Sequence, residues 1–335
     1  MAAQPQNLGS DVHMIDTAMS GYSGITAAYV ILGSRPCLVE TGTATSAQVV
    51  RQALAGLGVG ADDLATIVVT HIHLDHAGGV GDLAAAFPRA RVVVQDTGAR
   101  HLADPSRLMA SARRVFGPAM DALFGELLPT DAARIDTVGD VGSVDLGDGR
   151  RLEGYHTPGH ARHHLGLVDT ATGDLYVGDA AGLYIPPDDA SSLTGLGSSG
   201  EMGQMLPGTP PPDFDLDLAL ESLARFRDLR PTRLLFSHYG PITEVDDALG
   251  RAAQEMRLWV SIVRAARTDQ GGQFDLDHAV AMVRERTRER YADLLARPEV
   301  AAKFEELSST AASVNGIARW LENEDKRLSE ANGQG

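Results

Sequence analysis

The stretch "TIVVTHIHLDHAGGVGDL", Thr66 to Leu83, sets three histidines and an aspartate within six residues at the end of an apolar run. The run Thr66 to Thr70 is β-branched throughout and reads as a strand. His71, His73, Asp75 and His76 then fall in the loop at its C-terminal end, where α/β sheets build their sites. On extended backbone His71 and His73 share a side, because side chains alternate with period two. Gly78 and Gly79 follow and let the chain turn tightly against the cluster. The chain holds 11 histidines, and three of them are here. Polar groups this dense strain a fold unless something satisfies them, and a bound cation would do so. Imidazole suits zinc, and a carboxylate can complete a harder second position.

The bulk composition narrows the classes. The chain has 335 residues, with 43% hydrophobic and 22% charged, which is ordinary for a folded globular protein of one large domain with a smaller annex. A net charge of -16 argues against a nucleic acid or an anionic membrane as the main partner. Cys37 is the only cysteine, so neither an intramolecular disulfide nor a cysteine-based zinc site can form. The opening residues show no basic and apolar leader, and no apolar run reaches the roughly 18 residues of a membrane helix. A soluble, cytoplasmic protein is expected.

Further strands are expected at 27–32, 37–40, 91–95, 164–169, 174–179 and 233–238, each short, branched and bounded by turn residues. Helices are expected at 45–58 and at 104–128, the second broken at Gly117-Pro118. The alternation predicts an α/β domain. From Leu183 to Asp215 the composition turns to Gly, Pro, Ser and Asp. That is long for a connection and reads as a lid or binding loop, with a disordered insertion as the plainer alternative. Beyond about residue 243 the pattern is almost wholly helical. The expected division is a catalytic domain over 1–242 and a helical annex over 243–335, whose charged residues such as Arg286, Arg290 and Lys303 read as solvated faces.

Partners for the cluster end other segments. "HTPGHARHH" offers His160 after a Pro-Gly turn, "VGD" puts Asp179 at a strand end, and "FSH" does the same for His238. The motif H-x-H-x-D-H at 71–76, with T-P-G-H at 157–160, G-D at 178–179 and S-H at 237–238, resembles the metallo-β-lactamase-fold hydrolase superfamily. The resemblance spans residues from about 10 to 245, and within the superfamily it leans to the glyoxalase II-like and lactonase-like branches.

That resemblance implies a four-layer αββα sandwich carrying the C-terminal helical annex. It implies that His71, His73 and His160 bind one metal, that Asp75, His76 and His238 bind a second, and that Asp179 bridges them. The cofactors implied are two divalent ions, Zn2+ first, with Fe or Mn as alternatives. His164 matches a histidine four residues after the T-P-G-H ligand in glyoxalase II-like members, and is expected to support the site from behind rather than touch substrate. At "LVETG" many members carry Asp-Thr-Gly; Glu40 keeps the carboxylate one methylene longer and is expected to orient the ligand loop. His156 and His163 read as surface or packing residues, and His13, His101 and His278 carry no signal.

Two cations a few ångströms apart can hold a bridging water and bring its pKa toward neutrality. The expected reaction is hydrolysis of an ester-type acyl bond (thioester, lactone or ester) by that hydroxide, with Asp75 orienting it and passing a proton to the leaving group. The expected partner is a small-molecule substrate, with no nucleic acid and no membrane; an apolar face on the annex could pair two copies into a homodimer. Phe116, Phe124, Tyr184 and Trp259 are candidate pocket walls, each also readable as plain core. Two alternatives stay open: phosphoester or phosphotriester hydrolysis, and a mono-iron centre like that of persulfide dioxygenases, held by His71, His160 and Asp179. Di-iron flavoprotein relatives usually carry a glutamate where this chain has His73. A non-catalytic module that kept the site is a third reading.

Overall fold

The computed structural model describes residues 4–269, 274–307 and 309–333. Two sheets face each other. The first is ordered along the chain: β1 (Gln6–Gly9), β2 (Val12–Asp16), β3 (Ala27–Ile31), β4 (Cys37–Val39), β5 (Thr66–Val68), β6 (Arg91–Gln95) and β7 (Ile135–Val138). Strands β1 to β4 pair antiparallel, and β4 to β7 run parallel. The second sheet contains β8 (Val141–Gly147), β9 (Arg150–His156), β10 (Leu165–Asp169), β11 (Asp174–Gly178), β14 (Arg233–Phe236) and β15 (Gly240–Ile242). Its spatial order is β15-β14-β11-β10-β9-β8, and within it only β11 and β14 pair in parallel. A separate hairpin joins β12 (Leu183–Ile185) to β13 (Gln204–Leu206).

Period-two alternation sorts each strand between two cores. In β3, Tyr29 and Ile31 enter the inter-sheet core with Met14, Val39, Val68, Leu165, Leu167, Tyr176 and Leu235. Ala28 and Val30 face outward with Leu38, Ile67, Val92 and Val94, under the helices Ala47–Gly56 and Val80–Ala86. On the other side Leu175, Val177, Leu234 and Phe236 pack under the helices Leu216–Asp228 and Val245–Asp269. Strands buried on both faces read as continuous apolar runs, which is why they stand out in the sequence. The outcome is helix, sheet, sheet, helix: the expected αββα sandwich, followed by the helices Leu276–Thr287, Ala292–Leu295, Pro298–Leu307 and Thr310–Gly333. Among the described residues no helix is long and apolar enough to cross a membrane.

Some boundaries differ from expectation. The 104–128 helix is two helices, Ser106–Phe116 and Met120–Leu123, and it stops short of Leu128. Gly117 has φ 54°, a conformation that breaks the α-helix where the Gly-Pro pair stands. The 183–215 stretch is not a bare loop, since it contains the β12–β13 hairpin and buries Leu183, Tyr184, Ile185 and Met205.

The parallel pairings matter most for function. Strands β4, β5 and β6 end at one edge of their sheet, and β11 and β14 end at one edge of theirs. Four hydrogen bonds stitch the sheets together there: Ala27 N–H to Ser237 O at 2.8 Å, Tyr29 OH to Phe236 O at 2.6 Å, Leu165 N–H to Thr70 O at 2.7 Å and His238 Nδ1 to Ile25 O at 2.8 Å. Strand ends from both sheets therefore open onto one shared edge.

Cys37 lies inside the inter-sheet core with no exposed surface, and burial pushes its thiol up to about 12. A raised pKa keeps the unreactive thiol form, so the native protein at pH 8 is expected to ignore Ellman's reagent. One equivalent should react once denaturant is added. Rapid reaction of the native protein would contradict this burial.

Candidate metal centre

Local sequence fixes each side chain at the shared edge. β5 delivers Thr70 and His71; His73 then stands in extended conformation (φ -61°, ψ 152°) before the short helix Leu74–Ala77, which carries Asp75 and His76. The T-P-G-H loop precedes β10 and brings His160, and β11 and β14 deliver Asp179 and His238. Gly178 is required where it stands: φ is 51°, and a Cβ there would lie 2.4 Å from His164 Nε2 and 2.6 Å from Thr70 Oγ1.

The seven expected ligands converge as two groups. In the first, His73 Nδ1 lies 3.0 Å from His71 Nε2 and 3.0 Å from His160 Nε2. In the second, His238 Nε2 lies 3.3 Å from His76 Nε2 and 3.3 Å from Asp75 Oδ2. Each group keeps its donor atoms within 4.8 Å of one another, a spacing a metal ion can bridge. Asp179 stands between them, with Oδ2 3.5 Å from His160 Nε2 and Oδ1 3.3 Å from His76 Nε2. Asp75 and His73 are the two partly exposed members, so they mark the open side; the other five are buried.

Hydrogen bonds behind the ring orient the histidines. His160 Nδ1 donates to Gly208 O at 2.9 Å, and His238 Nδ1 donates to Ile25 O. Thr70 donates its hydroxyl proton to Glu40 Oε1, so its oxygen is free to accept from His71 Nδ1 at 3.0 Å. Glu40 Oε1 also lies 3.4 Å from His76 Nδ1 and accepts from Ser237 at 3.2 Å. Glu40, His71 and His76 could themselves surround a cation. However, Glu40 meets the Nδ1 of His76, while the Nε2 of that ring faces His238 and Asp179. Glu40 thus sits behind both groups and touches each of them, through Thr70 and through His76. His164 is wholly buried and uses both nitrogens: Nε2 accepts from Asp179 N–H at 3.1 Å, and Nδ1 pairs with Thr157 Oγ1 at 2.9 Å. It holds the Asp179 backbone and has no nitrogen left for a substrate.

This arrangement fits a cation. His71 and His160 each spend their Nδ1 proton on an acceptor, so bare Nε2 lone pairs point inward toward His73. One proton on His73 Nδ1 could satisfy only one of them. Asp179 Oδ1 is buried with no hydrogen-bond partner at all. Burial, reinforced by the neighbouring imidazoles, keeps His71 well below the usual histidine range and brings His73 down to about 3. Burial would also lower His76 and His238, but Asp179 and Asp75 outweigh it and raise both. Burial would raise Asp75 and Asp179; the facing histidines outweigh it and hold both carboxyls below their ordinary value. The first group offers neutral nitrogens and the second offers a negative cradle, and both are what a divalent ion coordinates.

Other candidates lie elsewhere. Trp259 is buried among the C-terminal helices with its indole N–H on Tyr291 OH at 2.7 Å, and Tyr184 is fully buried with its hydroxyl bonded to Gly195 O. With their polar tips satisfied inside, both are core residues rather than pocket walls. Phe124 is buried in the first helical core; Phe116 meets it at a tilt, ring centres 4.7 Å apart, and stays 39% exposed. His163, set aside in the sequence, is half-buried beside the cluster. It stacks at 6.2 Å on His71, and its Nδ1 accepts from Ile72 N–H at 3.4 Å. Its only sequence signal is adjacency to His164.

The αββα sandwich carries at its edge a cluster that could hold metal ions. Residues 21–238 match the model of the metallo-beta-lactamase superfamily, and the chain belongs to it. It is 29% identical over 237 residues to the metallo-beta-lactamase fold-containing protein ST1585 of Sulfurisphaera tokodaii, covering 69% of this chain and 79% of that protein. The ST1585 crystal structure superposes with a TM-score of 0.60 at 26% identity, over 74% of this chain and 87% of that one. The metallo-beta-lactamase family protein TTHA1429 from Thermus thermophilus shares the fold at TM-score 0.60 and 20% identity, over 90% and 89% of the two chains. The chemotaxis sensor ODP, solved as a peroxy diiron species, shares it at TM-score 0.53 and 14% identity, over 76% and 94%.

Glu40→Gln keeps the side-chain shape and removes the charge that ties the two groups together. Metal affinity is expected to fall roughly 10-fold to 100-fold, measured by chelator competition, with unchanged far-UV circular dichroism. Unchanged affinity would show that Glu40 does not orient the ligands.

Proposed function

We propose that the protein is a dinuclear metal-dependent hydrolase of an ester-type acyl bond, of the glyoxalase II-like or lactonase-like kind. One observation carries the reading: two groups of three metal-competent side chains with the Asp179 carboxylate between them, one of its oxygens without a hydrogen-bond partner. His71, His73 and His160 would hold one divalent ion, Asp75, His76 and His238 the second, and Asp179 both; zinc suits this nitrogen-rich set. Bound there, the ions would supply acidification of a coordinated water and polarisation of the scissile carbonyl. The residues themselves supply orientation and proton handling. Asp75 is partly exposed, held ionised by His76 and His238, and aimed into the site, so its Oδ2 can orient a water by accepting its hydrogen bond and relay a proton to the departing thiol or alcohol. The acyl–heteroatom bond breaks, water oxygen ends on the acyl carbon, and the proton from water ends on the leaving group. Ser237 is already committed to Glu40, and Cys37 is sealed in the core. The substrate is a small molecule admitted from the side marked by Asp75 and His73.

The test is a panel of thioesters, lactones and aryl esters, with phosphoesters beside them. Turnover of at least one acyl substrate is expected, lost on chelation and restored by zinc. Oxygen consumption with a persulfide substrate and no hydrolysis would overturn the reading in favour of an iron oxygenase. Asp75→Asn should lower kcat roughly 100-fold to 10,000-fold on that substrate.

A further inference from the structure

The ligand His160 takes its orientation from Gly208 O, and Gly208 belongs to the segment that follows the β12–β13 hairpin. A Cβ on Gly208 would stand 3.2 Å from His160 Nδ1 and 3.5 Å from Asp179 O, so this backbone lies directly against two ligand loops. The other end of the segment grips the same loop, because Asp215 N–H donates to Gly159 O at 2.9 Å. Residues 208–215 therefore span the T-P-G-H loop at two points.

That segment is in turn gripped from outside by the helix Thr310–Gly333. Thr209 is fully buried and its hydroxyl donates to Ser313 O at 3.1 Å. Gly316 sits one turn on, and a Cβ there would lie 2.0 Å from Thr209 O, 2.7 Å from Pro210 C and 2.8 Å from Pro211 N. Trp320, a further turn along, meets Phe214 edge to face at 6.2 Å. Positions 313, 316 and 320 have the spacing of a single helix face. A glycine inside a helix costs roughly 0.5 to 1 kcal/mol relative to alanine. Here that cost permits backbone contact between helix and segment.

We propose that Gly316 and Thr209 are positioning residues for the metal ligand His160, so that the C-terminal helix is part of the metal centre rather than an appendage. The inference rests on the two-metal reading above, and it gives the two positions different fates. His160 belongs to the group of His71 and His73, and it is this group that the 208–215 segment holds through Gly208. The group of Asp75, His76 and His238 is oriented instead through Glu40 and Ile25 O.

The experiment is a chelator-competition titration with zinc on the full chain, comparing the wild type with Gly316→Ala, Thr209→Val and the exposed control Asn315→Ala. Alanine raises helix propensity, so any loss in Gly316→Ala cannot come from a weaker helix. One zinc affinity is expected to fall roughly tenfold or more in Gly316→Ala while the other stays within about twofold. Thr209→Val should shift the same step in the same direction by a smaller factor, and Asn315→Ala should shift neither. Two unchanged affinities in folded Gly316→Ala would overturn the proposal, and so would an equal fall in both, which marks general loosening. If Gly316→Ala does not fold, the selective shift in Thr209→Val decides on the same terms. If the wild type binds a single zinc, the two-metal reading fails. The proposal then stands or falls on whether that one affinity drops in Gly316→Ala.

Discussion

The carboxylate of Asp179 is buried between two histidine groups, and one of its oxygens has no hydrogen-bond donor. A buried carboxylate oxygen left without a donor is costly. Much of the surrounding architecture holds it there. Gly178 must lack a side chain so that His164 and Thr70 can close on the strand end. His164 gives one nitrogen to the Asp179 backbone and braces the other on Thr157. The parallel pair β11 and β14 brings Asp179 and His238 out at one level, and the bonds between the sheets keep that level fixed relative to His71. A divalent ion on each side would satisfy that oxygen.

The two groups are built differently. Burial keeps His71, His73 and His160 as neutral nitrogens, and hydrogen bonds to Thr70 and Gly208 orient two of them. His76 and His238 stand among Asp75, Asp179 and Glu40, where negative charge dominates. Glu40 joins the two through Thr70 on one side and His76 on the other. Its backbone has φ 66°, unusual for a residue other than glycine.

Much of this is legible in the sequence. The strands around the site are buried on both faces, so their residues form unbroken apolar runs, and 91–95 is reproduced to the residue. The metal-competent residues end those runs, and the structure brings together all seven that the resemblance singles out. What the sequence hides lies at the periphery. β8 alternates exposed and buried positions and carries glycines, so it has no continuous run, although the Asp148-Gly149 turn into β9 is a usable hairpin signal. The first hairpin turns through Ser10 and Asp11, both with positive φ, and what hides it is the short, mostly exposed strand Gln6–Gly9 before the turn. Whether Tyr184 and Trp259 are pocket walls or core stays open in the sequence, because burial of an aromatic ring depends on tertiary neighbours that no local pattern encodes. The same holds for the grip of Ser313, Gly316 and Trp320 on the segment carrying Gly208, whose partners are about a hundred residues apart in the chain.

The central claim is that two cations share Asp179. The most direct test is a crystal structure of the zinc-loaded protein with anomalous difference maps at the zinc edge. Two peaks are expected, one enclosed by His71, His73 and His160 and the other by Asp75, His76 and His238, each with an Asp179 oxygen in its coordination. A single peak, or peaks away from Asp179, would contradict the account.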